Sequence, residues 1–204
     1  MKDEIKISDQ IWMNQNLNVS SFQNGEPIKE IKSIWEWTKA KMNKTPAFCY
    51  YNFDPKNALL LGKLYNWYAL TDPRKLAPNQ WRIPNKTDWN QLKESISNNN
   101  TTSNTLKKIE FWEEDHFYEL ENKNYFFKKS NQLNSPSIGF NALPSGYGGS
   151  NGLFYAIGKA EHWWVKNENE FDTPKVMSLY NNSKRLYSEF VQKEYFFPVR
   201  CIKI

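Results

Sequence analysis

The chain has 204 residues, long enough to bury a core without a metal or disulfide staple. Hydrophobic residues make up only 39% while aromatics reach 16%, with nine tryptophans, so burial rests on large rings that each remove roughly 150–250 Å² from water. A net charge of +5 comes from 27 basic and 22 acidic residues. The basic ones are scattered (Lys39, Lys41 and Lys44; Lys107 and Lys108; Lys128 and Lys129) and not gathered on one element, which argues against a nucleic-acid partner.

The first segment reads as strand, with Ile5, Ile7 and Ile11-Trp12-Met13 around a turn at Asp9-Gln10. Its opening residues, Met1 to Ile5, lack an apolar secretion segment. That leaves three alternatives: a cytoplasmic protein, export by another route, or a sequence that begins after a removed signal. Asn14 to Pro27 is polar and reads as loop. Ile31, Ile34, Trp35, Thr38 and Met42 then recur at spacings of three and four and predict a helix, stopped by Thr45-Pro46. Phe48 to Tyr51 reads as a short buried strand. Asp54-Pro55 is a helix start, Asp as cap and Pro at the first helical position. The residues beyond place Leu60, Leu61, Leu64, Tyr65 and Tyr68 on one face, with the firm helix over Lys63 to Leu70 after Gly62. Asp72-Pro73 and Ala77-Pro78 break the chain. Asn85, three residues before Asp88, forms a capping box ahead of a helix with Trp89, Leu92 and Ile96 as its apolar stripe.

Ser97 to Thr105 is polar loop, and Lys107 to Asn134 mixes charge and aromatics without period. Gly146-Tyr147-Gly148-Gly149 reads as a glycine-rich tight turn. Short strands follow at Phe154-Tyr155, Trp163-Trp164-Val165, Val176 to Leu179 and Leu186-Tyr187, and a terminal strand runs over Pro198 to Ile204. Helices early and strands late indicate an α+β class. No run approaches the ~18 apolar residues of a membrane span. Cys49 and Cys201 form no C-x-x-C pair and read as two buried thiols, with a long-range disulfide in an oxidising compartment as the alternative.

Several segments together resemble a known family. They are Trp12-Met13 with Gln15-Asn16-Leu17; Cys49 to Asn52 with Asp54-Pro55; Gly62 to Ala69; and Asp72-Pro73-Arg74 with Leu76-Ala77-Pro78 and Trp81-Arg82-Ile83-Pro84. Gly139 to Pro144, Gly146-Tyr147, Gly152, Phe154-Tyr155, Trp163-Trp164 and Val199-Arg200-Cys201 complete the set. In this order they resemble the Fibrobacter succinogenes major paralogous domain, from about Ile5 to Ile204. The resemblance implies a single domain over residues 1–204, with a variable insertion around 97–137. It also implies a fold similar to the C-type-lectin-like and formylglycine-generating-enzyme folds. Such a fold has two or three helices around short twisted antiparallel sheets, with the first and last strands paired. Members are common on surface or secreted proteins of Bacteroidetes and Fibrobacteres.

Catalysis finds little support in the residues. Formylglycine-generating members use a cysteine pair in the C-terminal half, where this chain has only Cys201. His116 follows Glu113-Glu114-Asp115, which reads as a solvated face, and His162 beside Trp163 reads as a packing residue. The calcium-dependent sugar signature is missing: Glu26-Pro27 lies outside its region and no Trp-Asn-Asp triplet occurs. Asn167, Glu168, Asn169, Glu170 and Asp172 offer hard oxygens for calcium, or simply form a polar loop. The expectation is a non-catalytic module that binds a protein, or less readily a glycan, through loops between Gly146 and Tyr195. Its contact candidates are Tyr147, Asn151, Tyr155, Tyr180, Asn181, Arg185 and Tyr187, residue types favoured at interfaces. Phe154 belongs with the contact types too, but it reads as core together with Trp163, Trp164 and Tyr195. The alternatives are an assembly adaptor in a larger complex and a small enzyme related to formylglycine generation.

Overall fold

A computed structural model describes residues 4–98, 102–112, 137–167 and 173–204. The N-terminal hairpin is β1 (Glu4–Ile7) and β2 (Gln10–Met13), turned at Ser8-Asp9. Next come β3 (Lys29–Ile31), α1 (Ile34–Met42), β4 (Ala47–Cys49), α2 (Ala58–Leu61) and β5 (Leu64–Asn66). The first half closes with α3 (Trp67–Leu70), β6 (Trp81–Arg82) and α4 (Lys86–Asn98). The second half is strands: β7 (Ser145–Gly148), β8 (Phe154–Ile157), β9 (Ala160–Val165) and β10 (Lys175–Tyr180). Then follow β11 (Tyr187–Phe190), β12 (Phe196–Phe197) and β13 (Ile202–Lys203).

Three sheets result, ordered β1-β2-β13-β6, β3-β4-β5-β12-β7-β8 and β11-β10-β9. The β3–β4 pair is parallel and the other strand pairs are antiparallel. This is the α+β class that the sequence indicated. The chain ends do meet, but the last strand joins the second and not the first, with Ile202 opposite Trp12. Of the terminal strand expected over 198–204, β13 (Ile202–Lys203) alone forms, and the residues ahead of it still bond the N-terminal segment. Val199 and Cys201 offer their carbonyls to the amides of Leu17 and Met13.

The box at α4 forms as its residues require. Asn85 Oδ1 accepts from the Asp88 amide at 3.0 Å, and Asp88 Oδ2 accepts from the Asn85 amide at 2.8 Å. Arg82 clasps the same carboxylate with both terminal nitrogens. The stripe of Trp89, Leu92 and Ile96 is buried.

Three expectations need correction, each because tertiary contacts outweigh local pattern. α1 starts after the Ser33 cap, which accepts from the Glu36 amide, and Ile31 belongs to β3. It buries Trp37 and Ala40, and leaves Ile34, Trp35 and Met42 at 49%, 71% and 77% exposure. The predicted apolar face is thus the outer one. The helix expected over Lys63 to Leu70 is instead β5 followed by the single turn α3. Gly62, at φ 78°, ends α2, and a Cβ there would lie 2.9 Å from Asn16 Cβ. Lys63 then bonds Leu17, and β5 fills the place between β4 and β12. Finally, Gly146 to Gly148 lies within β7 and is not a turn; the turn comes after it, where Gly152 bonds back to Gly149. The glycines are needed for clearance: a Cβ on Gly148 would sit 2.3 Å from Trp37 Cη2.

The rings divide between two cores at β9, because successive strand residues face opposite ways. Trp163 stacks on Trp89 at 5.4 Å, and Trp89 meets Trp12 at 4.8 Å. Its neighbour Trp164 enters the other core against Trp67 and Phe197. On the Trp163 side β9 also carries Glu161, fully buried, whose Oε1 accepts from Asn16 Nδ2 at 2.7 Å and Oε2 from the Ser145 amide at 2.7 Å. The Asn16 carbonyl in turn accepts from Arg200 Nη2 and from Trp163 Nε1, both at 2.9 Å. Arg200 is also fully buried and further donates to the Phe140 and Met13 carbonyls. One amide therefore links a buried cation to a buried carboxyl. Burial pushes Glu161 up to about 8, against the pull of Ser145, Asn16 and Arg200, and lowers Arg200 to about 10.

Two outcomes are expected. Gly148→Ala forces Trp37 to move and lowers stability by about 1–3 kcal/mol in denaturant unfolding. A carboxyl raised from 4.5 to about 8 keeps its proton longer in the folded state, so its contribution falls as pH rises through that window. The melting temperature should therefore decline between about pH 6.5 and 8, and Glu161→Gln should flatten that decline.

Candidate functional site

The other face of β9 presents His162 beside Trp164, and there the surface opens into a cleft of about 610 Å³. His162 is its buried floor. Tyr147 of β7 and Ala156 of β8 form one wall, while Tyr180 of β10 and Glu189 and Phe190 of β11 form the opposite one. The chain after β11 closes the remaining side with Val191, Gln192 and Tyr195, and Phe197 lies beneath. The β7–β8 hairpin reaches the cleft because it is kinked: Gly146 and Ala156 both take left-handed φ, at 63° and 60°. A Cβ at Gly146 would strike the Tyr155 carbonyl at 2.3 Å, so only glycine fits.

Register brings the polar groups together. Ser178 pairs directly with His162 across β9 and β10, and Tyr187 pairs with Ser178 across β10 and β11. The period of two then puts His162, Ser178, Tyr180, Tyr187 and Glu189 on one face. Ser178 Oγ donates to Glu189 Oε2 at 2.9 Å, and Tyr180 OH donates to both carboxylate oxygens at 2.7 and 2.8 Å. With its proton committed to Glu189, Ser178 Oγ accepts from His162 Nδ1 at 2.8 Å. Nε2 is then the unprotonated nitrogen, and it is buried without a partner. Burial lowers His162 to about 4 despite the opposing Glu189 charge, so the ring is neutral near pH 7. Burial, followed by the Glu189 contact, raises Tyr180.

The rings form one continuous belt. Tyr155 contacts Tyr147 at 5.6 Å, Tyr147 meets His162 edge-on at 5.1 Å, and His162 meets Tyr180 at 5.7 Å. Tyr187 extends the row beyond Tyr180 at 5.7 Å. Tyr195 stands 5.9 Å from Tyr147 and stacks on Phe197 with 6° between planes. Behind the belt, Lys107 Nζ donates to the Tyr180 and Ser183 carbonyls at 2.6 and 3.0 Å, which fixes the β10–β11 turn.

Of the seven contact candidates, Tyr147 and Tyr180 line the cleft, half-buried. Tyr155 and Tyr187 flank it, at 38% and 37% exposure. Asn151 supports Tyr155 by donating to its hydroxyl at 2.8 Å. Asn181 and Arg185 lie in the β10–β11 turn, away from the cleft lining. Of the other lining residues, His162 reads in the sequence as packing but is the floor, and Tyr195 reads as core but is part of a wall; Glu189 and the remaining ones carry no sequence signal for the cleft. Strand alternation puts His162 and Glu189 on one face, but it needs the register to become readable, and Tyr195 lies in irregular backbone before β12.

The metal candidates Glu168, Asn169, Glu170 and Asp172, and His116, lie outside the described residues; Asn167 follows β9 in irregular backbone. Among the described residues, no three His, Cys, Asp or Glu side chains group as metal ligands. Both cysteines are free and buried, and burial pushes both thiols up, Cys201 to about 12. Neither is a thiolate near neutral pH. No described helix is long and apolar enough to cross a membrane.

The sequence model of a family described as the Fibrobacter succinogenes major domain matches residues 5–203. No curated protein and no solved structure matches the chain.

His162 leaves its mark on acid unfolding. Its folded value of about 4 lies below the ordinary 6.5. The unfolded chain therefore binds the extra proton between these values, and stability present above pH 6.5 is lost as pH falls through about 4. His162→Gln should remove that part of the acid loss, worth about 3 kcal/mol, in urea titrations at successive pH values.

Proposed function

We propose that this chain, which belongs to the Fibrobacter succinogenes major domain family, is a non-catalytic recognition module that holds a protein partner in the cleft over β9. One observation carries the reading. Half-buried tyrosines surround a cavity with buried His162 at its floor and the part-exposed Glu189 carboxylate on its wall. Tyrosines give large contact area at small conformational cost, and a desolvated pocket centre is where binding energy concentrates.

The polar groups of the cleft fit binding better than turnover. In the row His162–Ser178–Glu189 the hydroxyl lies in the middle, fully buried and engaged on both sides. A nucleophile must stand at the open end with its base behind it. The cysteine chemistry of the formylglycine-generating group finds no support in two buried, protonated thiols. A fold of the C-type-lectin-like kind is part of the proposal, supported by the closure of β13 on β2 and by the long connections from β2 to β3 and from α3 to β6.

An adaptor role is the second reading, favoured by Ile34, Trp35 and Leu153, exposed at 49%, 71% and 49%. The two readings part on which surface matters. In a screen of immobilised peptides, the wild-type chain should select a subset. Tyr195→Ala should weaken those interactions at least tenfold, about 1.4 kcal/mol, and Trp35→Ala should leave them intact. Loss on Trp35→Ala alone would favour the adaptor.

A further inference from the structure

We infer that the cleft is a receptor for a basic side chain, the ammonium of a lysine or the guanidinium of an arginine presented by the partner. The inference rests on the recognition reading above and names what that site takes.

The polar cluster beside the floor has its spare hydrogen-bonding capacity on the acceptor side. The Glu189 carboxylate already receives Ser178 and Tyr180, and it keeps capacity for another donor, since its side chain is 37% exposed. A ligand donor can meet this carboxylate, and a ligand without one forgoes a charge-assisted hydrogen bond.

Charge narrows the choice. Among the lining residues there is a carboxylate and no lysine or arginine, although the whole chain carries +5. The imidazole is neutral near pH 7 and does not repel a cation. An anion would meet Glu189 unopposed. A cation meets an attractive charge in a partly desolvated pocket, where the interaction is far stronger than at an open surface.

The walls favour the same chemistry. Tyr147, Tyr180 and Tyr195 converge on the cleft with Phe197 beneath, and aromatic faces attract a cation through the ring quadrupole. A neutral sugar would satisfy the acceptors and stack on the rings, but it would leave the carboxylate without a counter-charge.

The probes are capped pentapeptides with a central lysine, its trimethylated form or norleucine, beside a linear glucose hexasaccharide, titrated calorimetrically into the full chain. The lysine peptide should bind at least tenfold more tightly than the norleucine peptide. Trimethyl-lysine should fall between them, because it keeps the charge but donates no hydrogen bond. Glu189→Gln should erase most of the lysine preference, and Tyr195→Ala should weaken both peptides. Equal binding of lysine and norleucine peptides overturns the cation proposal. Tight hexasaccharide binding that Tyr195→Ala abolishes, with no lysine preference, also overturns it but leaves recognition at the cleft standing. If Tyr195→Ala alters no interaction, with these probes or in the peptide screen, recognition at the cleft falls as well. Far-ultraviolet circular dichroism of each variant separates lost binding from lost folding.

Discussion

The carboxamide of Asn16 holds together segments that are far apart in the chain. Its oxygen takes the Arg200 guanidinium and the Trp163 indole, and its nitrogen serves Glu161, Ser145 and the Leu61 carbonyl. Every one of these partners is buried, so each would cost free energy if left alone. Isolated ions in a low-dielectric interior are the most expensive groups a fold can contain. Here an amide dipole lies between the two, its oxygen toward the cation and its nitrogen toward the carboxyl. The N-terminal segment, the strand β9 and the C-terminal segment can be satisfied only in one mutual arrangement. Hydrophobic contacts among the tryptophans tolerate small shifts; this network does not.

That arrangement fixes the floor of the cleft. β9 cannot slide, because Glu161 and Trp163 are pinned on one side by Asn16, and a slip of one residue would exchange its faces. His162 is therefore held where Ser178 can reach it, and Ser178 where Glu189 can. Lys107, itself buried, adds a second brace by seizing the carbonyls of the β10–β11 turn.

Features that depend on near neighbours could be read from the sequence. The Asn85–Asp88 box, the first hairpin and the late strands all follow from spacing within a few residues. Features decided by distant contacts could not. Leu64 to Asn66 has a helical pattern, yet β4 and β12 recruit it as a strand. The apolar-looking face of α1 points outward because the core takes up Trp37 and Ala40 on the other face. At the site, the tyrosines were legible as contact types, and four of them do meet in one belt. The residues that give the cleft its polarity, His162 and Glu189, became visible only with the register of three strands, which no local pattern encodes.

The division of labour across β9 has an evolutionary consequence. The polar network around Asn16 lies on one side of that strand, and the cleft lies on the other, beside the Trp164–Phe197 contact. Residues 189–195 supply much of the cleft wall and take no part in the hydrogen bonds around Asn16, so substitutions there can accumulate without dismantling that network. If the cleft is a recognition site as proposed, a framework of this kind is a socket with exchangeable walls, whose lining can drift while the frame is kept.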